Sequence, residues 1–186
     1  MPQTIRTIVL TGFMGAGKST IGPMLARVLG WEFVDADTAI EARTGKSIAK
    51  IFAELGEPAF RTLEAEVIRE HVSQTNLVLA LGGGALETEP TRALLHNYPT
   101  ACLVFLDAPL DVLVTRCLEQ PGAAERPVLA DREGLLRRFY ARLPLYREAH
   151  LTVSTAGLST DEVVARITDA LAGAGADEQA ARGTLI

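Results

Sequence analysis

A three-layer α/β fold, one parallel sheet of five strands between layers of helix, is the architecture this 186-residue chain predicts. Three observations predict it. Five short apolar runs alternate with longer amphipathic stretches, the order of elements that builds parallel sheets. The runs are short and predominantly apolar, as strands covered on both faces are. The first run also leads through a glycine-rich turn, Gly12-Phe-Met-Gly-Ala-Gly-Lys18-Ser19, straight into a helix.

The elements follow in order. Ile5–Leu10 is the first predicted strand. Ser19–Leu29 is the first helix, with Ile21, Leu25 and Val28 spaced along one face. Glu32–Val34 is a second strand, and Ser47 caps a helix carrying Ile48, Ile51, Phe52 and Leu55 that Gly56 ends. A new helix starts at Glu57, with Pro58 in its first turn, and runs to about Ser73. Leu77–Leu81, Ala101–Leu106 and Leu151–Val153 complete the strands. Ser159-Thr-Asp-Glu162 is a capping box that opens the last helix, expected to end near Leu171. One domain over residues 1–172 is expected, and the small, polar stretch 173–186 reads as a disordered tail.

Composition narrows the function. Hydrophobic residues at 48% and charged residues at 22% suit an ordinary globular protein. A net charge of −5 argues against nucleic acid as the main partner, which calls for a basic face. No apolar run has membrane-spanning length and the N-terminus lacks a signal-peptide core, so no membrane partner and a cytoplasmic location are expected. No interface stripe is evident, and a monomer is the expectation. Cys102 and Cys117 are too few for a metal site or disulfide framework, and His71, His96 and His150 are scattered and read as surface or helix-end residues.

The chemistry concentrates near strand ends, where ligands bind in such sheets. Gly12–Ser19 fits G-x-x-x-x-G-K-[ST] at every fixed position, a loop whose amides wrap a phosphate chain. Lys18 then reaches the outer phosphates of a nucleoside triphosphate and the Ser19 hydroxyl holds Mg²⁺. Asp35 and Asp37, two apart on a segment read as extended, point to opposite sides, one toward metal and phosphates and the other toward an acceptor. The competing reading makes one of them the cap of a helix beginning near Thr38. Gly82-Gly-Gly84 lets a ligand approach the main chain, or is simply a tight turn. Arg61 and Arg142 together suit a small carboxylate, though each alone reads as a surface charge. Arg126 sits in a loop opened by Pro121-Gly122, placed to swing onto the phosphates. Asp107 offers a carboxylate for the metal in place of Asp35, or a cap before a helix opened by Pro109.

Taken in order, Gly12–Ser19, Asp35-Ala-Asp37, Phe60-Arg61, Gly82–Gly84, Arg126-Pro-Val-Leu129 and Arg142-Leu-Pro-Leu-Tyr146 resemble the shikimate kinase family over about residues 5–171. The resemblance implies a P-loop kinase fold with a mobile lid, and transfer of the γ-phosphoryl group of ATP to the 3-hydroxyl of shikimate. It implies Gly15, Ala16, Gly17, Lys18, Ser19, Thr20, Arg116 and Arg126 as ATP-binding residues, with Arg116 against adenine. It implies Asp37, Arg61, Gly82, Gly83, Gly84 and Arg142 at shikimate, and Ser19 and Asp35 at Mg²⁺. Asp37, Lys18 and Arg126 are then the catalytic set. The chain departs from the family pattern at 156–160, which has no Asn or Arg-Pro for adenine, and in the low charge of 120–125. A kinase for gluconate or a nucleoside monophosphate is one rival reading. A binding protein that kept the fold and lost catalysis is another.

Overall fold

Ile8, Val9 and Leu10 are fully buried, and each such side chain contributes about 1.5–3 kcal/mol by leaving water. Their strand, β1 (Thr7–Thr11), accordingly takes the centre of the sheet. The computed structural model describes residues 5–119 and 131–183, with side chains as far as residue 173. The other strands are β2 (Glu32–Asp35), β3 (Leu77–Ala80), β4 (Ala101–Asp107) and β5 (Leu151–Ser154). They form one five-stranded sheet in the order β2-β3-β1-β4-β5. Every pairing is parallel, with Leu10 beside Ala80 and Thr11 beside Phe105. The carboxyl ends of β1, β2, β3 and β4 therefore share one rim, and the strand order reverses on crossing β1, which is where ligands bind in such sheets.

Helices cover the sheet. They are α1 (Lys18–Leu29), α2 (Ala36–Thr44), α3 (Ile48–Val72), α4 (Glu89–Asn97), α5 (Leu110–Leu118), α6 (Arg132–Tyr146) and α7 (Thr160–Gly183). A short 3₁₀ turn, Ala85–Glu87, follows β3. Gly22 brings α1 close to the sheet, since a Cβ there would run into the Phe33 ring of β2. The predicted capping box is present at α7: Ser159 N–H donates to Glu162 Oε2 at 2.7 Å, and Glu162 N–H donates to Ser159 Oγ at 3.3 Å. Ser47 caps α3, accepting from Lys50 N–H at 3.3 Å. Gly56 breaks α3 with φ 78° and ψ 172°, a backbone conformation that costs a glycine little. Around that break a second, smaller core forms from Ile40, Ile51, Phe60 and Val67, apart from the main core on the sheet.

Two details correct the sequence reading. Val28 is 60% exposed, because the buried face of α1 runs through Ile21, Gly22, Leu25 and Ala26 instead. The last helix passes Leu171 and continues to Gly183, where the sequence reading ends it and begins a tail. The alanine-rich stretch after Leu171 propagates a helix already nucleated by its cap.

Candidate active site

The loop Gly12–Ser19 joins β1 to α1, so its amides sit at the central strand's carboxyl end. Gly15 (φ 77°) and Gly17 (φ 96°) adopt the left-handed region, and Gly17 is the N-cap of α1. At Gly15 a Cβ would also lie 2.9 Å from Cys117 Sγ of α5. The Lys18 ammonium folds over the loop and donates to Gly12 O at 2.7 Å and Phe13 O at 3.1 Å. Burial lowers its pKa to about 8, against the opposing pull of the Asp37 and Asp35 carboxylates.

Asp35 caps α2: its Oδ1 accepts from Asp37 N–H at 3.0 Å and Thr38 N–H at 3.2 Å. The helix therefore begins at Ala36, and Asp37 lies in its first turn. This corrects the extended segment with carboxylates on opposite sides. Both carboxylates face one cavity of about 360 Å³, lined also by Gly17, Lys18, Ser19 and Gly82. Asp35 is a cap and a wall of the cavity at once, so the two sequence readings do not exclude each other. Burial raises the Asp37 pKa, the neighbouring Asp35 adds to the rise, and Lys18 opposes it. A carboxylate so tuned is a stronger base.

Gly82–Gly84 leave β3 without left-handed backbone; close approach is what requires them. A Cβ on Gly82 would sit 2.8 Å from Asp37 Oδ1 and 3.0 Å from Glu64 Oε1, and one on Gly84 would strike the Arg61 guanidinium. Gly83 and Arg142 line the same cavity as Lys18 and Asp37. Arg61 and Arg142 meet across the Glu87 carboxylate: Arg61 Nη2 donates to Oε2 at 2.8 Å, and Arg142 donates through Nε to Oε1 and through Nη2 to Oε2, both at 3.1 Å. Arg61 also donates to Glu64 at 2.8 Å and Glu57 at 3.1 Å.

A second cavity of about 430 Å³ lies on the other side of the loop, lined by Gly15, Ala16, Gly17, Thr20 and Arg116, with Leu158, Ser159 and Thr160 opposite. Arg116 is fixed there by donating to Thr155 Oγ1 at 2.8 Å and Thr155 O at 2.7 Å.

The sequence-predicted residues thus fall into two adjoining cavities that share Gly15 and Gly17, with Arg61 and Gly84 joined to them through Glu87. Arg126 and the lid segment lie outside the described residues. Asp107 lines neither cavity; its backbone oxygen accepts from Thr155 N–H at 2.8 Å. None of the three histidines lines either cavity. Sequence reasoning missed Glu64 and Glu87 and gave Tyr146 no role of its own. Glu64 stands three positions after Arg61 on one helix face, a spacing that signals an ion pair. Glu87 carries no such signal. The Tyr146 hydroxyl donates to Gly83 O at 2.5 Å, and burial pushes its pKa up to about 12.

Against known proteins, the shikimate kinase family model matches residues 14–172. The chain belongs to the shikimate kinase family. A shikimate kinase of Thermus thermophilus is 45% identical over 175 residues, 92% of each chain. The solved shikimate kinase from Acinetobacter baumannii in complex with shikimate superposes with a TM-score of 0.81 at 36% identity, covering 92% of this chain and 95% of that one. That from Aquifex aeolicus gives 0.79 at 34% identity, covering 91% and 98%. The family's P-loop kinase fold is the one described above.

Proposed function

We infer that this protein transfers the γ-phosphoryl group of ATP to the 3-hydroxyl of shikimate, giving shikimate 3-phosphate and ADP on the route to chorismate and the aromatic amino acids. The observation that carries the reading is one cavity in which the phosphate-loop Lys18 faces Asp37, with Gly82, Gly83 and Arg142 on its far wall. The acceptor chemistry matches. Shikimate brings a carboxylate for two guanidinium groups and hydroxyls for a carboxylate and bare backbone.

The triphosphate lies along Gly15–Thr20, its outer phosphates replacing the Gly12 and Phe13 carbonyls as partners of Lys18. Adenine occupies the second cavity, beside Arg116. Arg61 and Arg142 hold the shikimate carboxylate and Gly82–Gly84 its ring, which brings the 3-hydroxyl to Asp37. The hydroxyl oxygen forms a bond to the γ-phosphorus as the bond from phosphorus to the β,γ-bridging oxygen breaks, and that electron pair leaves with ADP. The hydroxyl proton passes to Asp37, whose raised pKa suits the role. Lys18 offsets the charge developing on the phosphoryl oxygens. Arg126 completes the proposed catalytic set.

Ser19 and Asp35, a hydroxyl and a carboxylate on one cavity wall, fit Mg²⁺. Mg²⁺ takes most of its ligands from phosphates and water, so one hydroxyl and one carboxylate suit it. When bound, Mg²⁺ neutralises phosphate charge. The proposal extends to one domain over 1–172, acting in the cytoplasm as a monomer on small molecules and not on nucleic acid or membrane. The net charge of −5 supports the exclusion of nucleic acid. Among the described residues no helix is long and apolar enough to cross a membrane.

The test is ADP release from ATP and Mg²⁺ with shikimate, gluconate and nucleoside monophosphates as separate acceptors. Release with shikimate alone is the expected result. Release only with another acceptor overturns the acceptor assignment, and silence with all of them in a protein that binds ATP leaves a binding protein.

A further inference from the structure

The arginine pair proposed to grip the acceptor already grips a carboxylate of the chain. Glu87 stands at the end of the 3₁₀ turn that continues from Gly82–Gly84. Both its oxygens are engaged: the fork of Arg142 spans Oε1 and Oε2, and Arg61 adds a bond to Oε2. This is the bidentate geometry in which a guanidinium recognises any carboxylate. A ligand carboxylate entering between the two arginines therefore competes with Glu87 for the same N–H groups.

Charge and burial decide which partner yields. Two guanidinium groups stand against the three carboxylates of Glu57, Glu64 and Glu87, so a fourth carboxylate adds to an existing excess of negative charge. The Glu64 side chain is 2% exposed and its Oε1 has no hydrogen-bond partner, so breaking its pair with Arg61 strands a buried charge. Glu57 is 62% exposed but bonds Arg61 alone, so its release leaves Arg142 held by Glu87. Glu87 is 37% exposed and on a three-residue turn, so its release to water leaves no charge buried.

We propose that Glu87 is a specificity-determining residue, a resident carboxylate that the acceptor must displace from Arg61 and Arg142. The idea rests on the acceptor reading above and deepens it. A simple anion exchanges one carboxylate contact for another and gains little. An acceptor that also brings hydroxyls to Asp37 and to the Gly82–Gly84 backbone gains contacts Glu87 cannot supply. Discrimination thus comes from a penalty applied to every anion and overcome by the right one. Its cost is weaker binding of the true acceptor, by the factor by which Glu87 holds the arginines.

The experiment compares wild type with Glu87→Gln and Glu87→Asp. Shikimate affinity is read by calorimetry, KM for shikimate and for ATP by steady-state kinetics, and inorganic sulfate serves as a probe anion competing with shikimate. Glu87→Gln keeps the shape and removes the charge. Its shikimate Kd and KM should fall about two- to fivefold, the range for a partly exposed charge contact, with KM for ATP held. Sulfate should inhibit it more strongly by a similar factor. Glu87→Asp, which keeps the charge, should stay close to wild type. Shikimate binding that is weaker or equal in Glu87→Gln, with sulfate inhibition unmoved, overturns the proposal and makes Glu87 a support for the arginines. Wild type that neither binds nor phosphorylates shikimate is the different failure, that of the acceptor reading. Sulfate binding, read by calorimetry with ATP saturating the phosphate loop, still decides the role of Glu87 in that case.

Discussion

The two halves of the proposed site, one for the nucleotide and one for the acceptor, are built differently. The nucleotide half is almost one continuous stretch, Gly12–Thr20, and its working groups are largely main-chain amides set by glycine backbone angles. The acceptor half is gathered from α2, α3, the turn after β3, and α6, and its working groups are charged side chains that hold one another. A backbone site is fixed once the strand and helix beside it are fixed. A side-chain site is fixed only when residues far apart in sequence meet. Substitutions should therefore divide, with those in the acceptor half affecting acceptor or chemistry and sparing ATP.

The largest expected effect tests that division at its boundary. Asp37→Asn should lower turnover about 10²–10⁴-fold, the usual worth of a positioned base, while ATP affinity by calorimetry stays near wild type. Comparable turnover in that variant removes Asp37 from the proton transfer. Arg61→Ala comes next. Its KM for shikimate should rise by the equivalent of about 2–5 kcal/mol, with KM for ATP little changed. Equal rises in both constants would merge the two halves.

The nucleotide half is sharpened by pH. Burial lowers the Lys18 pKa to about 8, and only its ammonium form attracts phosphate. Affinity for ATP should therefore hold below that pH and fall as pH rises through it. Bound phosphates favour the ammonium and raise its pKa, so kcat should persist to higher pH than kcat/KM for ATP. Coincident profiles would mean that Lys18 is not the titrating group.

The smallest catalytic effect belongs to a place outside both halves. His150 Nδ1 accepts the Leu103 N–H of β4 at 2.9 Å, so Nε2 carries the proton and donates to His96 O at 3.1 Å. His150→Ala strands that buried amide and should lower stability by about 1–3 kcal/mol in urea unfolding, with kcat unaltered. A loss of activity in the folded variant would tie this edge of the sheet to the site.

The same contrast explains what the sequence disclosed. Strands and caps depend on neighbours in the chain, and the runs, Ser47, Gly56 and the Ser159–Glu162 box all stand where local chemistry puts them. The phosphate loop was legible for that reason. The sequence puts Asp35 and Asp37 at the right strand end in an extended conformation, whereas the bonds from the amides of 37 and 38 start the helix a residue after Asp35. Val28 misled because its spacing fits a helix face that the sheet does not cover. Glu87 was invisible, since nothing at 87 in sequence foretells a guanidinium from 61 and another from 142.

One contact in the loop bears on how nucleotide affinity is to be understood. The Lys18 ammonium already has two carbonyl partners, Gly12 O and Phe13 O, belonging to the loop it serves. In the proposed function a phosphate arriving there replaces acceptors that are already in place, and its advantage is the difference between an anionic oxygen and a neutral one. The lysine thereby acts as a comparator: it ranks what enters by charge, and a neutral oxygen brought by water gains nothing over the carbonyls that hold it.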